Sequence, residues 1–252
     1  MIQPWYLPLL FGTGLVAGFV DSIAGGGGLI TLPVLMNLGM DPRLALGTNK
    51  LQATFGSGSA AVHHARVGTV SLADCKRGFV ITFIGAALGT LLVQRLPRDF
   101  LVRAIPMLLM AVAVYTLLKP DLGAGDTRPR LSRTRFDMIF GLLLGFYDGF
   151  FGPGTGTFWA MAFVLGLGYN FTRATGFTKV MNFASNLSSL LFFLGAGSVL
   201  FIPGLTMGVG QLLGARIGSH LVVLKGAKFI RPIFISMVLA VTAKLLWNAY
   251  AS

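Results

Sequence analysis

Apolar residues recur along the chain in runs of unequal length, and the lengths repeat. In the first half, residues 6–20 form a somewhat short run and 29–38 a much shorter one. Residues 44–65, 78–94 and 100–118 follow as long runs. The second half repeats the series with residues 136–151, 157–167, 177–194, 200–223 and 232–249. A helix rises about 1.5 Å per residue, so about 20 apolar residues cross a hydrocarbon core of about 30 Å. The long runs fit a full crossing and the short pair fits a hairpin that dips into the bilayer and returns.

Individual residues repeat as well. Gly18, Phe19, Asp21, Gly25, Gly27, Leu38 and Gly39 return 127 residues later as Gly145, Phe146, Asp148, Gly152, Gly154, Leu165 and Gly166. A two-residue insertion then sets the offset to 129, which pairs Ala45, Gly47, Lys50, Ser59, Gly85 and Gly89 with Ala174, Gly176, Lys179, Ser188, Gly214 and Gly218. The chain therefore reads as a first transmembrane repeat over 1–118, a basic linker over 119–135 and a second repeat over 136–252. The linker is rich in Pro, Gly and Arg and has no apolar period. Three net crossings per unit would invert the second copy, whereas four would leave the copies parallel. Basic residues favour the cytoplasm, and the inverted arrangement places eleven inside and three outside, against eight and six for the parallel one. The predicted fold class is an all-α membrane protein of two inverted repeats, each a broken re-entrant helical hairpin plus three transmembrane helices.

Composition agrees with the pattern. With 54% hydrophobic residues, 11% charged residues and a mean hydropathy of +0.77, the 252-residue chain is too apolar for a soluble domain of its length. The formal charge of +12 falls in clusters between apolar runs, which points to cytoplasmic loops rather than nucleic acid. A single cysteine, Cys75, excludes an intrachain disulfide framework, and three scattered histidines are too few for a metal site. The N-terminus lacks a basic region and a cleavage site, so it is expected to belong to the mature chain, with Trp5 and Tyr6 at the membrane interface.

Candidate chemistry gathers at the glycine-rich stretches. Gly25, Gly26, Gly27 and Gly28, and the Gly-Pro-Gly-Thr-Gly run that includes Gly154, Thr155 and Gly156, are incompatible with uninterrupted helix. Broken backbone inside a bilayer must be buried in protein or line a watery cavity. Each break is expected to leave free N–H groups at the start of the next helix, around Leu29 and Thr157, where the positive end of the dipole attracts an anion. Close helix packing is the competing explanation of the glycines. Lys50 and Lys179 match across the repeat and either bind substrate or snorkel to the interface. Asn49, Gln52, Asn182 and Asn186 extend a polar stripe beside them, as do Thr48, Thr178 and Ser185. Asp21 and Asp148 each stand four residues before a break. They either load a proton or tie down the broken backbone, by accepting glycine N–H groups or pairing with a lysine. His63 and His64 are expected at a wet loop edge, and Arg216 and Lys244 near helix ends. No nucleophile with a base, zinc pattern or phosphate loop is present, so no enzyme activity and no cofactor are expected.

Residues 18–33, Gly-Phe-Val-Asp-Ser-Ile-Ala-Gly-Gly-Gly-Gly-Leu-Ile-Thr-Leu-Pro, followed by Gly47-Thr-Asn-Lys50, resemble the signature of the TauE/SafE family of bacterial sulfite and organosulfonate exporters. The resemblance covers nearly the whole chain and departs at Gly152-Pro-Gly-Thr-Gly156 and at Thr178, which stands opposite Asn49. It implies a multi-pass protein of the inner membrane that exports a small sulfur oxyanion, such as sulfite or sulfoacetate, with proton coupling. A passive channel, an uptake permease for thiosulfate or another small anion, and a membrane-embedded enzyme are the rival readings. The expected partners are that anion and the lipid bilayer, with no nucleic acid. The glycine faces 85–89 and 214–218 leave open a homo-oligomer.

Overall fold

The computed structural model describes residues 4–118, 126–225 and 247, and all regular structure among them is helical. After a short 3-10 turn, Pro4–Tyr6, come α1 (Leu7–Ala24), α2 (Gly28–Asn37), α3 (Pro42–Arg66), α4 (Leu72–Arg95) and α5 (Arg98–Leu118). The second half supplies α6 (Arg133–Phe150), α7 (Thr155–Leu167), α8 (Phe171–Gly195) and α9 (Phe201–Lys225). Apart from Trp247, the predicted run over 232–249, Lys244 included, lies outside the described residues. Equivalent helices start by equivalent means. Asp41 accepts from Arg43 N at 3.0 Å to open α3, and Asn170, at the matching position, accepts from Arg173 N at 2.9 Å to open α8. The linker ends sooner than the sequence pattern suggests: Ser132 caps α6, which begins at Arg133.

The two halves interlock through reciprocal contacts. Helix α1 runs parallel to α9, with Gly14 against Met207, Gly18 against Gln211 and Gly218 against Ser22. Its repeat partner α6 runs parallel to α4, with Gly141 against Ile81, Gly145 against Thr82 and Gly149 against Ala86. A Cβ at Gly85 would sit 2.6 Å from Leu142 O, so these backbones approach more closely than any side chain permits. At the centre α3 and α8, themselves equivalent, lie antiparallel: Gly47 meets Ser198, Gly58 meets Phe183 and Gly176 meets His64.

The distribution of polarity is that of a protein surrounded by hydrocarbon. Ile84, Leu88 and Leu92 of α4, Leu142 and Leu143 of α6, and Leu205, Val209 and Ile217 of α9 face outward in contiguous bands. Thr48, Asn49, Lys50, Gln52, Lys179, Asn182, Ser185 and Asn186 are buried within. A water-soluble domain does not expose apolar bands of this extent. Of the described helices, only α4 is both long and apolar enough by composition to cross a bilayer. Helices α3 and α8 have the length, 25 residues each, but their inward polar stripes lower their average hydropathy.

Candidate functional site

Each glycine break ends one helix and begins another by way of conformations that side chains avoid. Gly25 and Gly154 hold φ of +69° and +82°. The two turns meet: Thr157 Oγ1 donates to Gly25 O at 3.1 Å, and a Cβ on Gly25 would lie 2.6 Å from Gly156 C. The expectation of free N–H groups around Leu29 and Thr157 is corrected here. Leu29 N bonds Gly26 O and Thr157 N bonds Gly154 O, both at 2.9 Å, because the first turn of each short helix tightens to 3-10 geometry. Gly26 and Gly27 are also engaged, donating to Asp21 Oδ1 at 2.9 and 3.1 Å.

The matched aspartates and lysines pair across the halves. Lys50 Nζ lies 2.6 Å from Asp148 Oδ1 and also donates to Asp148 O, while Lys179 Nζ lies 3.0 Å from Asp21 Oδ2 and donates to Asp21 O. Both lysine side chains are 1% exposed, which rules out snorkelling. Each ammonium is thus held against the last turn of a helix from the other repeat, where carbonyl groups carry the negative end of the dipole. Among the described residues the formal charges of the two lysines and two aspartates cancel at the centre.

A cavity of about 30 Å³ lies between the turns, room for on the order of two waters. Asp21, Gly26, Gly27, Gly28, Asn49, Lys50, Asp148, Gly154, Thr155, Gly156, Asn182 and Asn186 all line it. Three residues expected at the site stand outside the lining. Gly25 forms the contact between turns. Gln52 donates to Asn49 Oδ1 at 2.8 Å and fixes that amide, and Lys179 is turned to Asp21. The half-sites are therefore unequal, with Lys50 at the cavity and Lys179 behind it. Asn186 Oδ1 accepts from Lys50 Nζ at 3.3 Å, and the Asn182 and Gln211 side-chain oxygens are buried without a partner among the described residues. Sequence reasoning did not single out Ala53, Gly152 or Gln211 as lining. For Gln211 the signal was the lone amide of α9, set among glycine and apolar neighbours. His64 is fully buried, its Nδ1 2.8 Å from Thr69 Oγ1, rather than wet, because α8 packs over it at Gly176. Among the described residues no group of three or more His, Cys, Asp and Glu could hold a metal ion.

The comparisons with known proteins extend over the same elements. The model of the family described as "Sulfite exporter TauE/SafE" matches residues 10–245. The chain is 46% identical over 250 residues to the probable membrane transporter protein YfcA of Escherichia coli strain K12, covering 99% of this chain and 93% of that protein. It is 45% identical over 242 residues to a probable membrane transporter protein of Haemophilus influenzae, covering 96% and 95%. A more distant relative, the probable membrane transporter protein YdhB of Bacillus subtilis, is 24% identical over 243 residues, covering 92% and 97%. The glycine turns, the central helices and the reciprocal ion pairs all lie within the matched span, and the chain belongs to the sulfite exporter TauE/SafE family of membrane transporters.

Proposed function

We propose that the protein is a secondary transporter that exports a small sulfur oxyanion, sulfite or an organosulfonate such as sulfoacetate, across a bacterial inner membrane with proton coupling. One observation carries the reading: two glycine turns from opposite halves close on one polar cavity that Lys50 and the starts of α2 and α7 share. The N-terminal turns of two short helices present their dipoles to it, the device by which transporters with broken helices hold an anion at mid-membrane depth. The substrate class follows the family's description. In this reading α1–α2 and α6–α7 dip into the bilayer and the remaining helices cross it. The repeats are inverted, an arrangement supported by the antiparallel α3 and α8 and by the loop charges. Alternating access then comes from one half moving against the other around the cavity.

The test is radiolabelled sulfite flux in proteoliposomes with and without an imposed pH gradient. The expected outcome is gradient-dependent flux by the intact protein that falls at least tenfold in folded Lys50→Ala. Absence of flux of sulfite, sulfonates and thiosulfate by the intact protein would sink the proposal.

A further inference from the structure

The two repeat-matched aspartates sit in unlike surroundings, and the difference is written in the chain. Asp21 Oδ1 accepts backbone N–H groups from Gly26 and Gly27, and Oδ2 faces Lys179. A neutral carboxyl would weaken all of these bonds together, so Asp21 is fixed as a carboxylate that braces the first turn. At the second turn the residue matching Gly26 is Pro153, which has no N–H to give. Among the described residues Asp148 receives no backbone donor. Its Oδ1 faces Lys50 and its Oδ2 accepts from Ser185 Oγ. A hydroxyl can reverse its role. If Asp148 takes up a proton on Oδ2, the new O–H donates to Ser185 Oγ, and the serine's own hydrogen turns to Asn182 O at 3.1 Å or Met181 O at 3.3 Å, both already in place. The residue matching Ser185 in the first repeat is Gly56, so Asp21 has no such partner.

The charge of the centre says when this happens. Among the described residues the charged groups facing Asp148 are Lys50 from α3, Lys179 from α8 and Asp21 from α1 across the cavity. Helix α4 meets this end of α6 at Ala86, Gly89 and Thr90, α8 adds the amides of Asn182 and Asn186, and α9 that of Gln211. Tyr147, next to Asp148 on α6, is held by Pro153 O at 2.8 Å. The four charges cancel, so an anion entering the cavity adds an uncompensated charge beside a carboxylate in a low-dielectric site. Protonating Asp148 removes that charge and releases Lys50 to the anion.

We propose that Asp148, and not Asp21, is the proton-carrying residue, and that the proton binds together with the anion rather than in exchange for it. The inference rests on the transport role proposed for the same cavity. One proton forms one O–H bond at Asp148 Oδ2 for each monovalent anion bound, and the pair crosses without net charge. The membrane potential then neither drives nor opposes transport. Direction follows the product of the anion and proton concentrations on the two sides, and export requires an outward anion gradient larger than the inward proton gradient.

The test is binding of methanesulfonate, which stays ionised at every pH used, to the full-length protein in detergent, read by calorimetry against pH. Linkage of one proton to one anion makes the affinity fall about tenfold per pH unit above the proton's binding range. The intact protein and Asp21→Asn are expected to show this slope, while Asp148→Asn binds with an affinity independent of pH. Pro153→Gly restores an N–H that favours the carboxylate. Its fall in affinity is expected to begin at lower pH with the same slope, and glycine accepts any backbone conformation the proline holds. A flat profile in the intact protein, a slope retained in Asp148→Asn, or an unmoved onset in Pro153→Gly overturns the inference while leaving anion transport standing. If the folded intact protein binds neither methanesulfonate nor sulfite nor thiosulfate, the transport reading falls and takes the inference with it.

Discussion

Lys50 and Asp148 are each costly alone and tolerable together. Both side chains are almost fully buried, and the ammonium is 2.6 Å from the carboxylate. Removing one partner of a buried pair leaves an unpaired charge, at a cost of about 3–5 kcal/mol, whereas removing both is often close to neutral. Lys50→Ala is therefore expected to lower the thermal midpoint in detergent sharply, and Lys50→Ala with Asp148→Asn to recover most of it. A double mutant no more stable than Lys50→Ala would contradict the pairing. The same residues show what a sequence yields at this scale. Repetition at offsets of 127 and 129 singled out Asp21, Lys50, Asp148 and Lys179, because these are unusual residues for apolar segments and stand at matched positions. That each aspartate grips the other repeat's lysine was not legible, since partner choice depends on how α1 and α6 dock against α8 and α3. Ser185 was seen only as part of a polar stripe. Its bond to Asp148 brings together residues 37 apart and depends on the packing of α6 beside α8.

Helices α1 and α6 hold the turns in place, and glycine determines how closely they can dock. A Cβ at Gly145 would lie 2.5 Å from Thr82 O on α4, which is backbone and cannot move aside. Gly145→Leu is expected to destabilise the protein by about 1–3 kcal/mol or more through overpacking. The loss should show as a lower thermal midpoint. Gly12, at a position with nothing within 4 Å, should accept alanine with little change. Equal effects at the two sites would contradict the docking account. At this scale the sequence located the helices well and their ends poorly. The predicted run over 6–20 continues as α1 to Ala24, and the run over 177–194 starts as α8 at Phe171. Polar capping residues and the lysine turns count against an apolar run but extend a helix. The glycine breaks were legible because four consecutive glycines, or Gly-Pro-Gly, leave no helical alternative. The 3-10 closure of Leu29 and Thr157 was not, because it depends on local backbone angles rather than residue type.

As a whole molecule the protein is apolar outside and polar at its centre, and its halves exchange equivalent contacts: α1 with α9, α6 with α4, and α3 with α8. In the proposed transport cycle one unit moves against the other about that centre. In the sequence the internal repeat and the basic linker pointed to two units. Their reciprocal interlocking needed three dimensions. The central claim is that the cavity between the turns holds the transported anion and faces the two sides in turn. Ala53 lines that cavity and is partly exposed, and the lone cysteine, Cys75, is buried. The most direct measurement is alkylation of Ala53→Cys in a Cys75→Ala background by an impermeant reagent, applied to right-side-out and then to inside-out vesicles, with and without saturating methanesulfonate. The account expects labelling from both sides and at least tenfold slowing by the anion in each case. Labelling that the anion leaves unchanged, while flux of the same anion continues, would place the transported substrate elsewhere.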